Sequence, residues 1–130
     1  MREPGERSRI AALGESAVAR WLERKGCRIL DRNLRIGRGE IDIVALDRGV
    51  HAVVEVKTRR GDVKGRPHEA VTPAKMRQLR RLGLMLAARE PGARFRFDVA
   101  GVTIGPDGSA SIRYWKNAFT MSDGSGILCP

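Results

Sequence analysis

Two acids and a lysine, Asp42, Glu55 and Lys57, interrupt a stretch that otherwise reads as two apolar strands, GEIDIVALDRGVHAVVEVKTR over residues 39–59. If Arg48-Gly49 are the central residues of a tight hairpin, Asp42 falls opposite Glu55, Ile43 opposite Val54, and Glu40 opposite Lys57. Directly opposed side chains have Cβ atoms roughly 4.5–5.5 Å apart. Two carboxylates at that spacing repel each other, and burying them unpaired is costly. A divalent cation between them removes the cost, and Mg²⁺ is commonly held by one or two carboxylates with water and phosphate oxygens completing its shell. Alternation along the strand puts Val53, Glu55 and Lys57 on one face and Val54 and Val56 on the other. Lys57 then lies beside the cation, where an ammonium orients a water and stabilises developing negative charge.

The spacing allows a second geometry. A three-residue loop Asp47-Arg48-Gly49 with a bulge at Gly49 shifts the register by one and parts the carboxylates. Glu55 and Lys57 would then be a weak surface pair. Burial on both faces, implied by Val53, Val54 and Val56, argues against simple exposure.

The elements that must hold these groups can be traced along the chain. Ile10 to Lys25 predicts a helix, with Ile10, Leu13, Ala17, Val18, Trp21 and Leu22 on its apolar face, Ser8 as cap and Gly26 as stop. Glu15 sits at the shoulder of that face, with no Lys or Arg three or four residues away to pair with it. Cys27 to Leu30 reads as a short strand, followed by a basic connector, DRNLRIGRG. Arg59 to Val71 reads as a glycine-rich charged loop. Thr72-Pro73 opens a second helix that runs to about Arg89, with Met76, Leu79, Leu82 and Leu86 buried. Residues 95–104 and 111–119 are two further strands around the turn GPDGSA. The order of elements gives a single α/β (mixed α+β) domain over residues 1–119, with a helix on each side of a sheet, and 120–130 as a frayed tail.

Composition narrows the partners. The 130 residues carry 25 Lys plus Arg against 15 Asp plus Glu, a net charge of +10, which predicts a polyanionic partner, most commonly nucleic acid. Arg59, Arg60, Lys64, Arg66, Arg77, Arg80 and Arg81 are the candidate phosphate contacts, which position a duplex without reading its sequence. No stretch has the roughly 18 apolar residues of a membrane span, and the N-terminus lacks the apolar core of a secretory signal. Cys27 and Cys129 lack metal-knuckle spacing and are expected as reduced thiols of a cytoplasmic protein. His51 and His68 have no partner at zinc spacing. Asp98 shares a strand face with Arg94 and Arg96 and is expected in a salt bridge. Trp21 and Trp115 are expected in packing. Glu40 shares the face of Asp42 and is expected to support the site rather than ligate.

The order Glu15, then Gly39-Glu40-Ile41-Asp42, then Glu55-Val56-Lys57 resembles the PD-(D/E)XK nuclease superfamily. More closely, the chain is similar to the YraN-like family, which is related in fold to archaeal Holliday-junction resolvases. The likeness runs from roughly Ala12 to Val102, through LGESAVARWLERKG, RNLRIGRGEIDIVA, VVEVKTRR, GRPHEAVTPAKMRQLRR and RFDVAGV. It implies a restriction-endonuclease-like core, a central mixed sheet flanked by helices. It further implies Asp42 and Glu55 as ligands of Mg²⁺ or Mn²⁺, Lys57 as catalytic lysine, and Glu15 as the acid of the first helix. The implied activity is hydrolysis of DNA, in particular branched or structured DNA. Resolution of a junction would need two sites related by a two-fold axis, hence a homodimer. GEID stands where many superfamily members have Pro-Asp. The alternative is a nucleic-acid-binding module that keeps this fold without cleaving.

Overall fold

The computed structural model describes residues 4–61 and 71–119, with side chains from residue 9 onward. The elements follow in the order α1 (Pro4–Arg24), β1 (Arg28–Ile36), β2 (Gly39–Asp47), β3 (Val50–Arg60), α2 (Pro73–Arg89), β4 (Arg94–Ile104) and β5 (Ala110–Phe119). The strands form one mixed sheet in the order β1-β2-β3-β4-β5. All neighbours are antiparallel except β3 and β4, which run parallel from Val50↔Arg94 to Arg60↔Ile104. A parallel pair requires a long crossover, and α2 supplies it.

The helices take opposite faces. Val18, Ala19 and Leu22 of α1 pack with Ile43, Ala45, Ala52, Val54, Ala100 and Val102. Met76, Leu79, Leu82 and Leu86 of α2 pack with Ile41, Val44, Val53, Phe97, Val99 and Trp115. The fold is therefore mixed α+β with a central sheet between helices, as the element order predicts.

Several local expectations need correction. Ser8 does not cap α1, because the helix begins a turn earlier at Pro4. Leu13 is 57% exposed, since the helix face that meets the sheet is centred on Ala17, Val18 and Leu22. The basic connector is mostly strand, because Leu34 and Ile36 lie at the α2-side core. A bulge between Ile29 and Asp31 and a left-handed Asn33 (φ 52°) break its alternation, which hides the strand from a period-two reading. Arg59 and Arg60 belong to β3, and Val71 is buried, so the predicted loop is shorter at both ends. Its interior, with Lys64, Arg66 and His68, lies outside the described residues, as do Cys129 and the tail 120–130. Cys27 is a half-buried free thiol.

α1 approaches β3 closely at Gly14. A Cβ there would stand 1.8 Å from Thr58 Oγ1 and 2.9 Å from Thr58 Cβ. Gly14→Ala is expected to destabilise the fold by about 1–3 kcal/mol, as overpacking does. Urea denaturation checks it, and adding Thr58→Ala should restore part of the loss.

Candidate active site

The hairpin turn sets the site. Arg48 (φ 51°) and Gly49 (φ 83°) are both left-handed, the requirement of a type I′ two-residue turn. The ladder above it pairs Asp47↔Val50, Leu46↔His51, Ala45↔Ala52, Val44↔Val53 and Ile43↔Val54. This is the two-residue register, and the bulged alternative is excluded.

The ladder ends at Ile43↔Val54, one step before the acids. Glu40 is therefore not paired with Lys57; on the other edge of β2 it pairs with Arg35 of β1. Beyond that point the Asp42 side chain takes over from backbone pairing, its Oδ2 accepting the Val56 N–H at 2.8 Å. Facing changes here too. Ile43 and Ala45 belong to the α1-side core, while Ile41, also an odd-numbered residue, belongs to the α2-side core. Asp42 thus stands where β2 twists away from β3, with its carboxylate in the plane of the sheet.

Glu55 projects toward α2 and is 3% exposed. The Asp42 carboxyl lies beside it. Burial, and then the Asp42 charge, push the Glu55 carboxyl up to about 7, although two ammonium groups oppose the shift. Asp42 is also raised, chiefly by burial, against the restraint of the Val56 N–H. The ammonium groups are Lys57 Nζ, 3.7 Å from Glu55 Oε2, and Lys75 Nζ, 3.6 Å from the same oxygen.

Glu15 approaches from the α1 face. Its carboxyl is raised by burial and by the Asp42 charge, with a hydrogen bond from Asn33 and the Arg32 charge opposing. Arg32 also donates from Nη2 to Ser16 Oγ at 3.0 Å, tying β1 to the same turn of α1. Glu40 adds negative charge that raises both Glu15 and Asp42. So Asp42, Glu55, Lys57 and Glu15 are brought to one end of the β2–β3 pair. Among the described residues, no three Asp, Glu, His or Cys side chains converge at metal-binding spacing. What does converge is a two-carboxylate pair.

Two residues of this cluster escaped sequence reasoning. Lys75 is brought in by the α2 crossover, which no local spacing reveals. Asn33 signals itself only as a residue type that tolerates the left-handed region.

The pair fits a hard divalent cation. A buried and a half-buried carboxyl side by side are a donor set that a cation would deprotonate and hold. The linkage sign gives a test. Glu55 is raised above its ordinary 4.5, so its contribution to stability is full below pH 4.5 and is lost as pH rises through about 7. Metal-free protein should lose on the order of 3 kcal/mol over that window, and Glu55→Gln should flatten the profile. Denaturant titrations in EDTA at several pH values, compared between the two proteins, measure it.

The other candidates are distributed unequally. Arg77 and Arg81 are exposed and, with Ala74 and Gln78, line an open hollow of about 540 Å³ on α2. Arg80 is half-buried over the Phe119 ring, 5.2 Å from its centroid, and so serves packing. Arg59 and Arg60 end β3 on the site side of the sheet. On β4, paired with Val54, Asp98, 1% exposed, accepts from Arg96 Nε at 3.1 Å, Tyr114 Oη at 2.5 Å and the Asn117 N–H at 2.8 Å. The predicted salt bridge is present, through Arg96. Trp115 is buried, and Trp21 packs on Tyr114 with centroids 4.9 Å apart, so both serve packing. His51 packs against Phe95 with the rings tilted by 32°.

A family profile described as "Uncharacterised protein family UPF0102" matches residues 14–102. The chain belongs to UPF0102, the YraN-like group. A UPF0102 protein of Symbiobacterium thermophilum is 50% identical over 114 residues, covering 85% of this chain and 96% of that protein. One from Chlorobaculum parvum is 43% identical over 121 residues, covering 88% and 94%. One from Mycobacterium sp. strain KMS is 48% identical over 112 residues, covering 83% of each. The UPF0102 match spans α1 to β4, and so includes Glu15, Asp42, Glu55, Lys57 and Lys75. Among solved structures, "The structure of Pyrococcus Furiosus SfsA in complex with Ca2+" gives a loose likeness, with TM-score 0.39 and 14% identity over 78% of this chain and 62% of that one. Among the described residues, no helix is long and apolar enough to cross a membrane.

Proposed function

We propose that this protein is a Mg²⁺- or Mn²⁺-dependent endonuclease that hydrolyses DNA phosphodiester bonds, acting on branched or otherwise structured DNA. The observation that carries the reading is the Asp42–Glu55 carboxyl pair, Glu55 buried and Asp42 half-buried, with Lys57 3.7 Å from Glu55, in a chain of net charge +10. Burial of two acids against each other is unfavourable for stability, and a function that needs them explains their retention. Resemblance to the PD-(D/E)XK superfamily and its restriction-endonuclease-like core points the same way.

Asp42 and Glu55 would hold the cation, which supplies Lewis-acid polarisation of a phosphoryl oxygen and favours deprotonation of water. Lys57 orients the attacking water and donates to a non-bridging oxygen. Asp42 is fixed by the Val56 N–H, which engages one of its two oxygens. Glu15, held by Asn33, lies within reach of the same region as an acceptor for a water proton. In the net reaction the water oxygen forms a new P–O bond and one ester P–O bond breaks. One water proton ends on the leaving oxygen, giving an alcohol and a phosphomonoester. Arg77 and Arg81 on α2, and Arg59, Arg60, Lys64 and Arg66, supply phosphate contacts along the strand.

The test is a screen of purified protein against single-stranded, duplex and four-way-junction DNA, with Mg²⁺, Mn²⁺ or EDTA. Cleavage is expected only with metal. Salt-sensitive binding without cleavage under either metal would make the protein a binding module instead.

A further inference from the structure

We propose that Lys75 is a second catalytic lysine, which with Lys57 forms a two-ammonium clamp on the non-bridging oxygens of the phosphodiester at the Asp42–Glu55 pair. The proposal rests on the phosphodiester reading above and adds a residue from a different element to it.

Both ammonium groups converge on one oxygen, Glu55 Oε2, at 3.7 Å for Lys57 and 3.6 Å for Lys75. One carboxylate oxygen in a structural ion pair needs a single partner. Neither distance is that of a hydrogen bond, which lies at about 2.7–3.2 Å. Each ammonium therefore keeps donors that Glu55 does not engage. The side chains of Lys57 and Lys75 are 38% and 30% exposed, whereas that of Glu55 is 4% exposed. The lysines thus line the open side of a closed carboxylate. Lys57 rises from the sheet and Lys75 comes down from the helix above it, so an anion entering between them meets both.

The position of Lys75 in its helix adds weight. Thr72 caps α2, its Oγ1 accepting the Lys75 N–H at 3.1 Å, and Pro73 opens the first turn. A first turn favours acidic residues because of the exposed N–H groups and the helix dipole. The first turn of α2 holds no acid, and it holds Lys75. A cation there is locally unfavourable, yet it reinforces an electropositive end facing the site. Arg77 and Arg81, one turn apart, lie on the exposed face of α2 beside the hollow, whereas Lys75 is on the side that meets the sheet.

The experiment compares wild type with Lys75→Gln, Lys75→Arg and Lys57→Gln. It reads single-turnover cleavage with Mg²⁺, duplex binding in EDTA as a function of salt, and Tm. Lys75→Gln should slow cleavage by about 10²–10³-fold, the range for removing one preorganised donor. Its Tm should stay within a few degrees, and Lys75→Arg should restore part of the rate. Cleavage within about 3-fold of wild type in Lys75→Gln overturns the role of Lys75 while leaving the site standing. A loss of rate matched by a large fall in Tm, not relieved in Lys75→Arg, assigns Lys75 to structure and also overturns it. If wild type cleaves nothing, the endonuclease reading fails, and the salt dependence decides on Lys75. A slope of log affinity against log salt smaller by about one in Lys75→Gln supports the phosphate contact, and an unchanged slope overturns it.

Discussion

Asp42→Ala is expected to abolish Mn²⁺ binding, measured by calorimetry, and to slow DNA cleavage by at least about 10³-fold. Asp42 is the carboxylate beside Glu55, so its loss halves the proposed donor set. The effect on folding should be small because two terms oppose. The Val56 N–H loses its acceptor at 2.8 Å, which costs about 1–3 kcal/mol. Glu55 simultaneously loses the neighbouring negative charge that raises it. Asp42→Asn keeps an acceptor for Val56 and should be at least as stable as wild type at pH 7 in EDTA, yet equally inactive. Cleavage that persists in Asp42→Ala would assign the activity to other residues.

The largest effect on stability is expected on the neighbouring strand, at the buried Asp98. Asp98→Ala should destabilise the fold by about 3–5 kcal/mol, the range for breaking a buried ion pair from one side. Asp98 holds Arg96 through both its oxygens, Tyr114 through the phenol and β5 through the Asn117 N–H. Its removal leaves the Tyr114 hydroxyl, pushed upward by burial and the Asp98 charge, without its acceptor. Arg96 would retain Asp47, 2.9 Å from its Nη1, so it would not be wholly orphaned. Asn117 would lose the bond that holds a non-glycine residue at φ 56°. A fall in Tm of roughly 10–20 °C follows for a domain of this size. Metal binding at Asp42 and Glu55 should survive in the folded fraction, which separates this result from damage to the site.

The contrast between these two positions also marks what the sequence could reveal. Asp42 and Asp98 look alike in one dimension, each an acid inside an apolar strand. The hairpin made Asp42 interpretable because a two-residue turn fixes register locally, and Arg48-Gly49 has the backbone that turn requires. Thr72-Pro73 made the start of α2 legible for the same reason, since capping is a local interaction. Asp98 was placed with Arg96 by alternation alone, but its bonds to Tyr114 and Asn117 depend on how β5 bulges against β4. Lys75 was invisible because its contact with Glu55 spans a crossover. Leu13 was misread because periodicity identifies an apolar face without saying how far the sheet extends beneath it. β1 was cut short because a bulge and Asn33 interrupt its alternation, and the interruption aims Asn33 at Glu15.

The single parallel pairing in the sheet has a consequence for how the chain acquires its shape. β1, β2 and β3 are joined by short turns and contain Asp42, Glu55 and Lys57, with Glu15 on the helix just before them. Hairpins of this kind form in about 1–10 μs from contacts near in sequence. Without α2 and β4 to cover them, both carboxylates of that unit are expected to stay hydrated. Their dehydration comes with the arrival of α2 and β4, a step that must close a long segment of chain before it is rewarded by contacts. The electrostatic strain of the acid pair therefore falls on the late docking event. A divalent cation that relieves the strain should accelerate that event and leave the early hairpin unaffected.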